Sequence, residues 1–249
     1  MSKAAPSALA IKKGMVSLDS FSQAAEVVER LQGLSGEIQL QRRGSEFEII
    51  YNGVFLMATY NGASEKQAVR DALLSFTCNG YSKLRALMGG LGVGYSLHEA
   101  LSFKEVEQVK VVEIEPAVIG WNRKYFGKIN GNALNDKKCV VVEGDFYTVL
   151  TGEAAAAQRG EKNRYHLIMV DTDNGSGWLS IPSNAAIYKE QGLKYISTCL
   201  HPNGIACFWV SRREEELEES LGKVFKSFQF HSVLEKTGQE GCYYLARKD

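Results

Sequence analysis

Apolar positions along the chain follow two periods, and the switching between them predicts the fold. The runs 84–88, 109–112, 139–143, 167–170 and 205–210 are short and largely apolar, as buried strands are. Between them, helices are predicted from Tyr95, over 116–129, after Asp145, over 184–199 and over 213–225. Alternation of this kind builds a doubly wound α/β architecture on a mostly parallel sheet. The tail departs from it: the runs 230–234 and 242–246 flank the polar turn KTGQEG and predict a hairpin, one strand of which inserts antiparallel. Ahead of the sheet, Asp19 is placed to cap a helix reaching residue 34, with Ala24, Val27, Val28 and Leu31 on one face. The runs 37–42, 46–51 and 54–60 then predict a small antiparallel unit, and Asn52-Gly53 marks its hairpin. A helix over 63–76, opened by Ser64-Glu65, leads into the first central strand. The expected organisation is a tail and helix over 1–35, a small β-hairpin unit with its linking helix over 36–80, and a nucleotide-binding domain over 81–249.

The first central run ends in Gly89, Gly90, Gly92 and Gly94. Glycines there let backbone approach a ligand and turn sharply into a helix. The second run ends in Glu113, about twenty residues on, where an acidic side chain can accept both hydroxyls of a ribose. A glycine-rich turn alone would serve any tight turn, but strand, turn, helix and acid in this order favour a nucleotide. The spacing G-x-G-x-G, with Tyr95 where a third glycine would fall, speaks against a nicotinamide fingerprint.

Ligands of such sheets sit beyond the carboxyl ends of the strands. Acids stand there repeatedly: Glu113 and Glu115, then Asp145, then Asp171 and Asp173. Asp145 is placed to meet an adenine amino group with Phe146 packing near its ring, or to cap the next helix, and one side chain can do both. Asp171 ends the most apolar strand, where it can bind a cationic amine or act as a general base on it. Asp173 either adds a second negative contact or builds an Asx turn. Trp121, Trp209 and Tyr188 are aromatic candidates that read first as core, whereas Trp178 lies in the polar loop after Asp173, placed to close over a substrate. The four histidines show neither ligand nor triad spacing.

Composition narrows the partner. The chain has 249 residues, 45% hydrophobic, with 29 basic and 29 acidic side chains, so no overall field recruits nucleic acid or an anionic membrane. A small molecule is the expected partner. Five scattered cysteines, Cys78, Cys139, Cys199, Cys207 and Cys242, point to buried thiols in a reducing compartment, and no metal spacing is present. The first residues lack the long apolar core of a secretory signal, so a cytoplasmic location is expected; lysines without an acid before Asp19 leave a weak targeting peptide as the alternative.

Four segments carry a family resemblance: GGLGVG from Gly89, VVEIEPAVIGWNRKYF from Val111, EGDFYTVL from Glu143 and YHLIMVDTDN from Tyr165. They resemble the spermidine synthases, polyamine aminopropyltransferases with the Rossmann-like, seven-stranded fold of class I S-adenosylmethionine-dependent methyltransferases. The likeness runs from about Phe47 to the C-terminus and includes NGVFLMATYNGASEK, which is similar to that family's N-terminal β-hairpin region. It implies that residues 81–249 form a transferase domain without a metal, taking decarboxylated or intact S-adenosylmethionine. Glu113 would then hold the ribose, Asp145 and Phe146 the adenine and the glycines the loop. Asp171 would deprotonate and orient the acceptor amine; Asp173, Trp178 and Tyr188 are candidate substrate contacts by their places in the chain, not by the resemblance. The family's D-x-x-D-P here reads D-x-D-N-G, and its Tyr-His-Glu-type helix signature is replaced by KQAVRDALL. Methyl transfer, or adenosyl binding without turnover, are the alternatives. A homodimer is expected, because three short strands ahead of a complete sheet leave edges and apolar faces to cover.

Overall fold

The structure, a computed structural model, describes residues 24–160, 164–177, 179 and 181–249. Strands β1 (Glu26–Gly33), β2 (Gly36–Arg43), β3 (Glu46–Tyr51) and β4 (Val54–Ala58) form an antiparallel sheet in that order. Asn52 and Gly53 have φ of 49° and 76°, the left-handed pair that a two-residue hairpin requires. The helix expected up to residue 34 is corrected to β1, and residues 19–23 lie outside the described residues. Val27, Val28 and Leu31 fit a helical face, yet the open edge of β2 offers a ladder from Glu26↔Arg42 to Gly33↔Gly36, broken only by a register shift at Val28. Pairing and β-branched packing outweigh a marginal local propensity.

The second sheet has seven strands in the order β10-β11-β9-β8-β5-β6-β7. It is built by β5 (Leu84–Gly89), β6 (Val106–Glu113), β7 (Cys139–Glu143), β8 (Tyr165–Val170), β9 (Leu200–Val210), β10 (Ser227–Leu234) and β11 (Glu240–Arg247). Strands β5 to β9 are parallel, and β11 inserts antiparallel between β9 and β10. The helices are α1 (Ala63–Thr77), α2 (Tyr95–Ser102), α3 (Pro116–Lys124), α4 (Phe146–Gln158), α5 (Ala185–Tyr188), α6 (Glu190–Cys199) and α7 (Glu215–Val224). The helix expected over 184–199 breaks at Lys189, whose ψ of 158° is extended.

Alternation along the central strands divides the core between the two faces of the sheet. Ala86, Met88, Val109, Val111, Leu167, Met169 and Cys207 point to one side and join Ile38, Leu40, Ile49 and Tyr51 of the first sheet. Leu87, Val112, Ile168, Val170, Ala206 and Phe208 point to the other, toward α4, α6 and α7. Glu29 on β1 also fastens the small sheet to α3. Its carboxylate accepts hydrogen bonds from Trp121 Nε1 at 2.8 Å and Tyr125 Oη at 2.6 Å, and pairs with Lys124 Nζ at 2.7 Å. Those three contacts, Lys124 first, pull its pKa down to about 2. Cys199, Cys207 and Cys242 are buried as expected, whereas Cys78 is exposed beyond the end of α1. Among the described residues no helix is long and apolar enough to cross a membrane.

Candidate active site

Register levels the carboxyl ends of the central strands. Gly89 pairs with Val112 on one side and Val170 on the other, and Glu113 pairs with Glu143. The glycine loop, Glu113, Gly144-Asp145 and Asp171 therefore emerge along one edge. Gly90, Gly92 and Gly94 all have positive φ. Gly90 is required by packing within the chain, because a Cβ there would lie 2.0 Å from the Asp171 carbonyl oxygen. The close approach of the loop to the end of β8 therefore requires a glycine at this position.

Glu113 is buried and holds the loop. One carboxylate oxygen accepts the Leu91 N–H and the other the Glu115 N–H, each at 2.9 Å. Burial still raises its pKa against these donors. Two oxygens carry about four acceptor positions, so capacity remains for two hydroxyls. Asp145 caps α4, accepting from Tyr147 N and Thr148 N at 3.2 Å and from the Thr148 hydroxyl at 2.7 Å. Glu115 takes the Leu34 N–H at 2.8 Å and the Tyr51 hydroxyl at 3.0 Å, which brings the β1–β2 turn over this edge. A cavity of about 70 Å³ results, lined by Gly90, Glu113, Glu115, Asp145, Phe146 and Thr172, and roofed by Ile38, Tyr51 and Leu56 from the small sheet.

A second cavity, of about 590 Å³, adjoins the first at Leu56, Val118 and Thr172. Its lining includes Gly92, Trp209 and five carboxylates, those of Glu65, Asp171, Asp173, Glu235 and Glu240; no lysine, arginine or histidine lines it among the described residues. Burial, and then the charge of Glu65, hold the Asp171 carboxyl well above the usual carboxylate range. The Ser96 hydroxyl is 3.5 Å away, at the limit of a hydrogen bond. Asp173 accepts from Asn184 Nδ2 at 2.9 Å and from the Thr172 hydroxyl at 2.8 Å, so it fastens its loop as well as facing the cavity. Glu235 accepts the N–H groups of Gly62, Ala63 and Ser64 at 3.0, 3.0 and 2.8 Å.

The residues singled out in the sequence thus divide. Gly90, Glu113, Asp145 and Phe146 share the smaller cavity, and Gly92, Asp171 and Asp173 the larger. Gly89 and Gly94 line neither; Gly89 lies against the Phe146 ring and Gly94 against Asn122 and Asn130. Tyr188, expected at the substrate, is buried in the second core cluster and lines neither cavity, although its hydroxyl lies near Thr172 and feels the charges of Asp173 and Asp171. Trp178 lies outside the described residues. Glu65 and Glu235 carry no site signature in the sequence; one reads locally as a helix opener, and the other as part of a hairpin turn.

A seven-stranded sheet with an inserted antiparallel strand, bearing a glycine loop and carboxylates along one edge, is the fold of the class I S-adenosylmethionine-dependent methyltransferases. The crystal structure of spermidine synthase from Thermotoga maritima superposes with a TM-score of 0.69 at 17% identity, covering 90% of this chain and 73% of that one. A spermidine synthase complexed with the transition state analogue AdoDATO gives 0.68 at 16% identity. At these identities the likeness is one of fold. The spermine/spermidine synthase domain matches residues 77–234, and the chain belongs to that family. Among curated relatives, a polyamine aminopropyltransferase of Prochlorococcus marinus (strain MIT 9215) is 24% identical over 182 residues, 70% of this chain and 60% of the relative. Putrescine N-methyltransferase 2 of Nicotiana attenuata is 27% identical over 123 residues, 49% of this chain. The match spans only 30% of that relative's length. Both relatives are transferases by name.

Proposed function

We propose that this chain transfers an aminopropyl group from decarboxylated S-adenosylmethionine to an amine or polyamine acceptor. The observation that carries the reading is the charge of the larger cavity: five carboxylates line it, and no basic side chain does among the described residues. A cationic amine is attracted there, and the carboxylate of an intact donor would meet like charge. In this reading the adenosyl group occupies the smaller cavity, with its ribose on Glu113 and its base between Asp145, Phe146 and the apolar roof. The sulfonium then lies where the two cavities join.

The chemistry asks for an uncharged amine in line with the carbon–sulfur bond. Asp171 takes a proton from the acceptor ammonium, and its raised affinity for protons brings it nearer to the task than an ordinary aspartate. The amine lone pair forms the new carbon–nitrogen bond while the carbon–sulfur bond breaks. The sulfonium leaves as neutral methylthioadenosine, and the positive charge passes to the product amine. The carboxylate-lined wall holds that charge throughout.

Methyl transfer from intact S-adenosylmethionine is the second reading, favoured by the likeness to putrescine N-methyltransferases. It would have to seat the donor carboxylate on amides such as Asn61, Asn174 and Gln239. The test is to supply both donors with putrescine, spermidine and other amines, and to follow methylthioadenosine and S-adenosylhomocysteine separately. Methylthioadenosine with an aminopropylated product is expected. S-adenosylhomocysteine would select the second reading, and neither product with any amine would leave an adenosyl-binding protein without turnover.

A further inference from the structure

Glu65 is the third residue of α1, where a glutamate ordinarily reaches back to the helix's own free N–H groups. Those groups are already occupied: Glu235, from the far end of the chain, accepts the N–H of Gly62, Ala63 and Ser64. Of the helix's first N–H groups, only its own is left for Glu65. It is nevertheless only 5% exposed and lines the larger cavity with Asp171. The Ser64 hydroxyl donates to its Oε2 at 2.7 Å, and Trp209 Nε1 donates to the same hydroxyl at 3.0 Å, so the carboxyl is fixed in direction.

A buried acid beside a second acid, with no basic side chain lining their cavity among the described residues, is costly to the fold. Burial raises the proton affinity of Glu65, and Glu235 adds to it. The charge of Lys66, the next residue, offsets only part of this from outside the cavity: its Nζ sits over the Tyr95 ring at 4.1 Å, and Lys66 does not line the cavity. Such an arrangement is relieved by an occupant that brings its own positive charge, and two acids are matched better by two charges than by one.

We propose that Glu65 is the second carboxylate of the acceptor site and sets its preference for amines bearing two positive charges. This rests on the reading of the larger cavity as an amine site. One ammonium of the acceptor is held at Glu65 while the other amine group reaches Asp171. The anchor comes from the first turn of α1, where the family's usual helix signature is missing.

The test is calorimetry with methylthioadenosine present, comparing putrescine with butylamine, which has the same carbon chain and one charge fewer. In Glu65→Gln the affinity for putrescine should fall about tenfold or more, the scale of a lost charge-assisted contact. Butylamine should change by less than about threefold, since it lacks the second charge. Methylthioadenosine affinity should be unchanged, and Glu65→Asp should restore part of the preference. Equal loss for both amines would mean that Glu65 only supports the fold of the cavity and would overturn the proposal. So would an unchanged putrescine affinity, or a wild type that binds neither amine. A wild type that prefers putrescine through Glu65 yet transfers no group would remove the transferase reading and leave this one standing.

Discussion

Replacing Glu113 by glutamine separates its two tasks, holding the loop and holding a ligand. Glutamine keeps the shape but has one carbonyl oxygen where the carboxylate has two acceptors, and those now serve the N–H groups of Leu91 and Glu115. One N–H is left facing an amide donor, which costs about 1–3 kcal/mol for a buried group. Burial opposes the charge of Glu113, so its removal returns part of that cost and places the net loss toward the lower end. At roughly 2–4 °C per kcal/mol for a domain of this size, the melting temperature should fall by a few degrees. The ligand loses more. Two ribose hydroxyls on a carboxylate contribute about 1.5–3 kcal/mol each, and neutral bonds about half of that. The difference, about 1.5–3 kcal/mol in total, predicts methylthioadenosine binding weakened by roughly ten- to a hundredfold. Calorimetry and thermal melts on the same preparations measure both effects. A variant that melts lower yet binds methylthioadenosine within threefold of the wild type would show that Glu113 serves only the loop, and the assignment of the ribose to it would fall.

Asp171→Asn should leave adenosyl binding nearly unchanged while amine transfer falls about a hundredfold or more, with loss of the acidic limb of the pH–rate profile; an active wild type matched by the variant would exclude Asp171 as the base. Burial, with His201 and Arg85 beside it, lowers the pKa of His166 to about 4. The unfolded chain takes up that proton near 6.5, so between these values it binds more protons than the native state. The stability present above 6.5 is therefore lost as pH falls toward 4. Wild type should lose stability more steeply over that window than His166→Gln, whose carbonyl can still accept the Arg85 N–H, and parallel curves would contradict the assignment. Val27, Leu31, Val54 and Phe55 expose apolar surface on the small sheet, and a homodimer seated there should appear in sedimentation at micromolar concentration and weaken in Leu31→Lys. A wild type that sediments only as a monomer would refute it.

Local pattern determined most of the architecture. Each central strand is an apolar run too short for a helix, and the Asn52-Gly53 turn, the glycine loop and the KTGQEG hairpin are set by the backbone freedom of the residues that form them. The edge on which Glu113, Asp145 and Asp171 gather was legible for the same reason, since parallel strands bring their carboxyl ends to one side whatever the order between them. What the tertiary structure alone decided depended on partners distant along the chain. Residues 26–33 carry a helix-compatible spacing, and only the open edge of β2 makes them a strand. Tyr188 reads in sequence as a candidate substrate contact, but packing buries its ring in the core and leaves only its hydroxyl near Thr172 and Asp173. Glu65 reads locally as a helix opener because the group that takes over its capping role, Glu235, lies 170 residues further on. Periodicity records which face of an element is buried, whereas the identity of the buried neighbour, and so the charge a side chain must meet, is settled only when distant segments pack.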